Sequence, residues 1–251
     1  MNMTTAIEFK NVSKTFPNAT RPALNEINLT IEEGEFVTIV GTSGCGKTTL
    51  IKHINRLVEA DSGEIEIFGQ DIYSLEVTEL RKKIGYVIQQ IGLFPHMTIA
   101  KNIATVPRML GWDDERIEKR VKELMNLVNL DAEELLDRYP SQLSGGQQQR
   151  IGLARALAAD PQVMLLDEPF GAVDAINRNI LQNELLNIHK ENKKTFLFVT
   201  HDINEAFKLG NRIILMDKGE VQQFGTPDEI LHAPKNEFVE SFIQFYDGPR
   251  D

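Results

Sequence analysis

The run 36-FVTIV-40 leads directly into 41-GTSGCGKT-48, and this junction restricts the possible folds more than any other stretch of the chain. A short apolar run closed by glycine predicts a strand buried on both faces, as in a parallel sheet. The segment behind it, 47-KTTLIKHINRL-57, reads as a helix. The loop between them fits G-x-x-x-x-G-K-[ST], in which glycines let successive backbone N–H groups turn towards a phosphate chain. The helix adds its positive N-terminus. Gly41, Thr42, Ser43, Gly44, Cys45, Gly46, Lys47, Thr48 and Thr49 are therefore candidate phosphate-binding residues. Lys47 is expected to reach the β and γ phosphates, and Thr48 to hold Mg²⁺.

The rest of the chain supports an α/β architecture. Alternating apolar residues, Ile7 and Phe9 in AIEFKNV and then Ile27, Leu29 and Ile31 in INLTI, predict a small antiparallel β region near the N-terminus. A strand is expected at 84-IGYVIQ-89. Helices should follow from about Thr98 to Ala159, broken by Gly111, by Pro140 and by the pair Gly145 and Gly146. Strand and helix then alternate through 163-VMLLD-167, 176–191, 195-TFLFVT-200, 203-INEAFKL-209 and 212-RIILM-216, the pattern of a parallel α/β unit. In the helix from 176, Ile176, Ile180, Leu181, Leu185 and Ile188 fall on one face. Thr226 and Glu229 have the spacing of a capping box before 230-ILHA-233, and an amphipathic segment, 237-EFVESFI-243, follows.

Composition narrows the function classes. With 37 acidic against 27 basic residues among 251, the net charge is -10, which argues against a nucleic-acid backbone as the main partner. No run approaches the roughly 18 apolar residues of a transmembrane helix, and nothing near the N-terminus reads as a secretion signal. Cys45 is the single cysteine, so no internal disulfide is expected, which suits a reducing cytosol. Within the loop it reads as a small residue tolerated between glycines, with thiol-reagent sensitivity as a possible consequence.

Asp167 and Glu168 close the strand 163–167, at the sheet edge where nucleotides bind in α/β folds. Downstream of the phosphate loop they are expected to hold Mg²⁺ through water and to polarise an attacking water, respectively. In 143-LSGGQQQR-150, Ser144 and Gln147 form an S-x-x-Q capping box, and a helix start that exposes glycine N–H groups is also an anion site.

LSGGQ lying between this loop and a strand ending in Asp-Glu resembles the signature of ABC ATPases, and the resemblance covers essentially the whole chain. It implies a P-loop NTPase fold with a RecA-like parallel core, an N-terminal antiparallel β subdomain and an inserted helical subdomain at about 90–160. A short helical tail at 228–251 completes the single ATPase domain, 1–251. It implies ATP and Mg²⁺ as ligands and a homodimer in which Ser144, Gly145, Gly146 and Gln147 close over ATP held by the partner's P-loop. By the same resemblance Phe16 stacks on adenine, where tyrosine is commoner in the family. Gln89 contacts Mg²⁺ and water and senses a membrane partner. Asp174 couples the two sites, and His201 contacts the γ-phosphate. Read locally, Asp174 is an N-cap, Phe16 a packing aromatic and His201 a surface polar residue. Where the family more often has serine before the D-loop aspartate, this chain has Gly171 in 171-GAVD-174.

The segment 90-QIGLFPHMTIAKNIATVPRMLGW-112 resembles the surface that receives a permease's coupling helix, and its wording is similar to importers of quaternary-amine osmoprotectants such as glycine betaine, carnitine and choline. The partners implied are transmembrane permease subunits and an extracytoplasmic substrate-binding protein, with the chain peripheral on the cytoplasmic face of the cell membrane and no nucleic acid bound. Members of that group often continue into a paired regulatory CBS module; regulation by such a module is not expected from these 251 residues. A soluble ABC ATPase acting on ribosomes or DNA is the alternative, usually marked by two cassettes or coiled-coil insertions. A nucleotide kinase would leave LSGGQ, Gln89 and His201 without work.

Overall fold

The computed structural model describes residues 4–88, 92–171, 173–192 and 194–248. In chain order the elements are β1 (Thr5–Lys14), β2 (Leu24–Glu32), β3 (Phe36–Gly41), α1 (Lys47–Ile54), β4 (Ser62–Ile67), β5 (Gln70–Asp71), α2 (Val77–Lys82) and β6 (Ile84–Val87). The helices α3 (Ile99–Met109), α4 (Asp114–Leu127), α5 (Ala132–Leu135) and α6 (Gly145–Leu157) come next. The chain then runs through β7 (Val163–Asp167), α7 (Ala175–Asn192), β8 (Thr195–Val199), α8 (Ile203–Leu209), β9 (Arg212–Asp217), β10 (Glu220–Gly225), α9 (Pro227–His232) and α10 (Glu237–Ile243). It divides into two compact units, Met1–Arg81 with Lys193–Asp251, and Lys82–Asn192. The fold is mixed α/β, with an antiparallel sheet, parallel strands and a helical segment.

In the first unit, β2, β1, β4 and β5 lie side by side as an antiparallel sheet. The period-2 alternation places Ile7, Phe9, Ile27, Leu29 and Ile31 in the core, as their spacing predicts. The parallel strands of this unit centre on β3, flanked by β8 and β9, with β10 antiparallel to β9. β3 is buried at every position, and the Phe36 and Phe196 rings stack across the β3/β8 pair at 4.9 Å. Thr38, the one hydroxyl in that apolar run, is satisfied inside the core by donating to the Ala206 carbonyl at 3.1 Å. Both capped helices of the tail, α9 and α10, close this core: Val40, Ile213 and Leu215 bury against Ile230 and Val239, with Phe238 and Phe242 along the rim. The Thr226–Glu229 capping box is formed.

In the second unit, β6 and β7 pair in parallel, with Tyr86 opposite Leu165. The helices α3 to α6 are tied together by polar side chains that satisfy loop backbone. Asn102, fully buried on α3, accepts from the Phe94 N–H at 2.8 Å and donates to the Phe94, Met97 and Thr98 carbonyls, fixing the 94–98 turn. Arg150 on α6 donates to the Val128 and Asn129 carbonyls at 3.2 and 2.8 Å, so a cation caps the C-terminal end of α4.

Several expectations are corrected. The helix from Lys47 ends at Ile54 rather than Leu57, because Arg56 turns left-handed (φ 46°) and its guanidinium is drawn to the Ile72 and Leu75 carbonyls. The strand from Ile84 ends at Val87; Gln89 lies outside the described residues. The break expected at Gly145 and Gly146 is present, and the pair begins α6 behind the Ser144 cap. Ile176 is 76% exposed, so the buried stripe of α7 is Leu181, Leu185 and Ile188 only. The elements β4, β5, α2 and β10 were not anticipated, although Ile65 and Ile67 carry the same alternation as β1. Among the described residues, no helix is long and apolar enough to cross a membrane.

The α8–β9 turn offers a direct test of packing. A Cβ added at Gly210 would stand 2.4 Å from Thr38 Oγ1 and 2.8 Å from the Arg212 carbonyl oxygen. Gly210→Ala is expected to destabilise the fold by about 1–3 kcal/mol through overpacking, read as a lowered urea midpoint with an unchanged m value.

Candidate functional site

The phosphate loop leaves the end of β3 under tight steric control. Gly41 takes φ +151°, and a Cβ there would fall 1.9 Å from the Met216 carbonyl oxygen on the neighbouring β9. Gly46, at φ +110°, has the Ala23 carbonyl oxygen 2.3 Å from the same point. Only glycine satisfies both positions. The turn after β9 pins the loop from outside: Thr42 Oγ1 donates to Asp217 Oδ1 at 2.7 Å, and the Gly219 N–H donates to the Cys45 carbonyl at 3.0 Å.

Lys47 is 8% exposed, and its ammonium donates to the Gly41 and Thr42 carbonyls, each at 2.9 Å. Gly46 caps α1 without any side-chain acceptor, and the first turn carries no acid. A helix start with no acid in its own first turn, and with a lysine at the mouth of the cradle, fits a phosphate chain. Cys45 is buried, and burial pushes its thiol above the ordinary range despite the neighbouring Lys47. Such a thiol is poorly reactive, against the suggestion of thiol-reagent sensitivity.

His201 and Phe16 belong to the same unit. Since β3 and β8 are in parallel register at Ile39 and Val199, His201 emerges at the sheet edge from which the loop leaves, and it is exposed. Asp202 behind it caps α8 by accepting from the Asn204 and Glu205 N–H groups. Phe16 stands just past the end of β1, 38% exposed, with Lys14 Nζ 5.9 Å from its ring centre. It is not a core residue.

The second unit presents the carboxylates and the capped helix. Asp167 ends β7 and is 2% exposed; Glu168 follows with a left-handed backbone (φ 48°) that turns the chain off the strand line. Burial, together with the Asp167 charge, pushes the Tyr86 phenol well above its ordinary range. Ser144 Oγ accepts from the Gln147 N–H at 3.3 Å, and Gln147 Oε1 accepts from the Ser144 N–H at 2.9 Å, a reciprocal capping box. Ser144 and Gly145 are exposed, and nothing lies within 4 Å of a Cβ built on Gly145. The start of α6 is thus both capped and accessible.

Two residues behind the signature were not singled out from sequence. Gln149 Nε2 donates to the Glu168 carbonyl at 3.3 Å. Arg150 reaches Asn177 Oδ1 at 3.5 Å, while Asn177 in turn donates from Nδ2 to Asp174 at 2.7 Å and from its N–H at 3.1 Å. These bonds hold the Asp174 carboxyl below the ordinary range, and the side chain serves as the cap of α7. The signature helix, the Glu168 turn and the Asp174 cap are therefore linked in one unit. Asp217 was also missed; its signal was a carboxylate ending an apolar strand, as at Asp167.

An α/β chain with a glycine-restricted phosphate loop at one strand end, a buried carboxylate at another and an exposed capped glycine helix has the parts of a P-loop cassette. The model of the ABC transporter family matches residues 24–171, and the chain belongs to that family. It is 55% identical over 237 residues to the carnitine transport ATP-binding protein OpuCA of Listeria monocytogenes, covering 94% of this chain and 59% of that protein. It is 53% identical over 240 residues to the osmoprotectant import ATP-binding protein OsmV of Salmonella typhimurium, covering 94% and 63%. Among solved structures, the post-hydrolysis dimer of the ATP-binding cassette MJ0796 with ADP and Pi superposes at a TM-score of 0.81 with 38% identity, over 88% of this chain and 98% of that one. The chain thus spans 59% to 63% of the length of these two transport proteins.

A buried imidazole lies behind the loop. His53, on α1, is fully buried; its Nδ1 is 2.7 Å from the Thr49 carbonyl, and among the described residues Nε2 makes no side-chain hydrogen bond. Burial holds its pKa below the ordinary value, so the fold keeps it neutral. The unfolded chain takes up this proton near pH 6.5, so the associated stability is present above that pH and is lost as pH falls towards the folded pKa. His53→Asn keeps a donor for Thr49 and removes the titration. Urea midpoints of the variant are expected to depend less steeply on pH between 7 and 5 than those of the wild type.

Proposed function

We propose that the chain binds and hydrolyses ATP as the energising subunit of an ABC importer for a small quaternary-amine osmoprotectant, such as glycine betaine, carnitine or choline. The observation that carries the nucleotide chemistry is the Gly41–Gly46 cradle with Lys47 at its mouth. The substrate class rests on the named likenesses to carnitine and osmoprotectant transport proteins. The partners in this reading are a separate membrane permease, an extracytoplasmic substrate-binding protein and a second copy of the chain, with the assembly on the cytoplasmic face of the membrane. Residues 90–160 serve as the helical subdomain that meets the permease, and 228–251 as a tail of the ATPase core.

Residues of the loop from Gly41 to Thr49 hold the triphosphate, with Lys47 on the β and γ oxygens and Phe16 against the adenine. Thr48, Asp167 and Gln89 would hold Mg²⁺, which neutralises charge on the phosphate oxygens. Glu168 takes the proton of the water that attacks the γ phosphorus, the bond to the β-bridging oxygen breaks, and ADP and phosphate result. His201 contacts the γ-phosphate. Ser144, Gly145, Gly146 and Gln147 act on the nucleotide of the second copy, and Asp174 relays between the sites.

Glu168→Gln removes the proton acceptor and leaves Lys47, Thr48 and Asp167 in place. Phosphate release is expected to fall by roughly 10²- to 10⁴-fold while ATP binding persists, with more dimer on size exclusion in ATP and Mg²⁺. Normal hydrolysis would remove the base assignment. Ser144→Arg is expected to leave ATP binding to the isolated subunit intact and to stop hydrolysis; lost affinity in the monomer would contradict a site shared between copies. For the whole reading, the test is purification from membranes together with uptake of labelled glycine betaine, carnitine and choline after gene deletion. Recovery with a permease and lost uptake are expected. Recovery with ribosomes, or unchanged uptake of all three, would overturn it.

A further inference from the structure

Between α1 and β4 the chain passes through Asp61, and this residue grips the end of β1 at three successive positions. Its own N–H donates to the Ser13 carbonyl at 2.9 Å. One carboxylate oxygen accepts from Lys14 Nζ at 2.6 Å and the other from the Thr15 N–H at 2.7 Å. The lysine and the backbone amide together hold the carboxyl below its ordinary range. The next residue is Phe16, whose ring has the same Lys14 ammonium 5.9 Å from its centre. Beyond it the chain turns, with the Ala19 N–H donating to the Phe16 carbonyl at 3.1 Å.

We propose that Asp61 is a positioning residue for the nucleotide base, holding Lys14 and Thr15 so that the exposed Phe16 ring keeps one orientation for stacking. The proposal rests on the reading of Phe16 as the base-stacking residue and adds the part that aims it. An aromatic side chain standing partly off the core is less restrained by packing than a buried one. Here a doubly engaged carboxylate supplies that restraint: it orients the peptide immediately before the ring and parks a cation near it. The same carboxylate lies on the segment descending from α1, the helix that begins at Lys47, so the base platform and the phosphate cradle are joined by a short stretch of chain. As a salt bridge alone, a partly exposed pair such as Lys14 and Asp61 contributes little to stability, which separates the two roles experimentally.

The experiment measures binding of Mg-ATP and of magnesium tripolyphosphate, which has no base, to the full chain and to Asp61→Ala, Asp61→Asn, Phe16→Ala and Asp61→Ala/Phe16→Ala. Asp61→Ala is expected to weaken ATP roughly three- to tenfold and to leave tripolyphosphate unchanged. The double variant should bind ATP no more weakly than Phe16→Ala, because both changes remove one interaction. Asp61→Asn, which still accepts from the Thr15 N–H, should recover part of the loss. Equal weakening of both ligands, or additive losses in the double variant, would show a general structural role and overturn the proposal. If Phe16→Ala weakens ATP but neither Asp61 variant does, the positioning role alone fails. If Phe16→Ala leaves ATP affinity intact, the base-stacking reading fails and the proposal falls with it.

Discussion

The close pairing of β3 with β9 is the constraint on which the site depends. At the last residue of β3 the neighbouring carbonyl of Met216 occupies the space a side chain would need, so the chain continues only as glycine. That one contact sends the backbone out of the sheet, and the turn after β9 then holds the emerging loop through Asp217 and Gly219. The cradle is thus shaped by backbone packing, and Lys47 and the other loop side chains are carried on a frame already fixed. A frame of this kind has its N–H dipoles oriented before a ligand arrives, which is the condition under which fixed dipoles are most effective.

The helical unit solves a different problem. A glycine pair at a helix start costs backbone entropy, and α6 offsets it with a reciprocal Ser144–Gln147 cap while leaving the glycines accessible. Behind them, Gln149 and Arg150 spend their polarity on backbone carbonyls of the Glu168 turn and the end of α4. Displacing the start of α6 therefore loads the turn after Asp167 and, through Asn177, the Asp174 cap. In the function proposed above, this wiring would link the start of α6 to the turn that carries the proposed base.

Much of this was legible in the residues because local rules and function coincide there. The phosphate loop, the α6 cap and the strands β1 to β3 follow from glycine spacing, capping chemistry and period-2 burial. The misses have different origins. The helix from Lys47 stops early because Arg56 finds carbonyls at Ile72 and Leu75. Ile176 keeps the helical spacing of its neighbours and still lies outside the buried stripe of α7. The short pieces between Ser62 and Lys82 carry too little periodicity to be separated from loop, although Ile65 and Ile67 alternate correctly.

The sequence by itself determined that a buried strand would end in a glycine-rich loop, that α6 would be capped by Ser144, and that two carboxylates would close β7, because strand burial, caps and backbone freedom act over a few residues. Only the tertiary structure decided that Asp61 would seize the peptide before Phe16, that Asp217 would anchor Thr42, and that His53 would be buried. The first two contacts join residues 46 and 175 apart in the chain, and a hydrogen bond over such a separation depends on how strands and helices pack rather than on the identity of near neighbours.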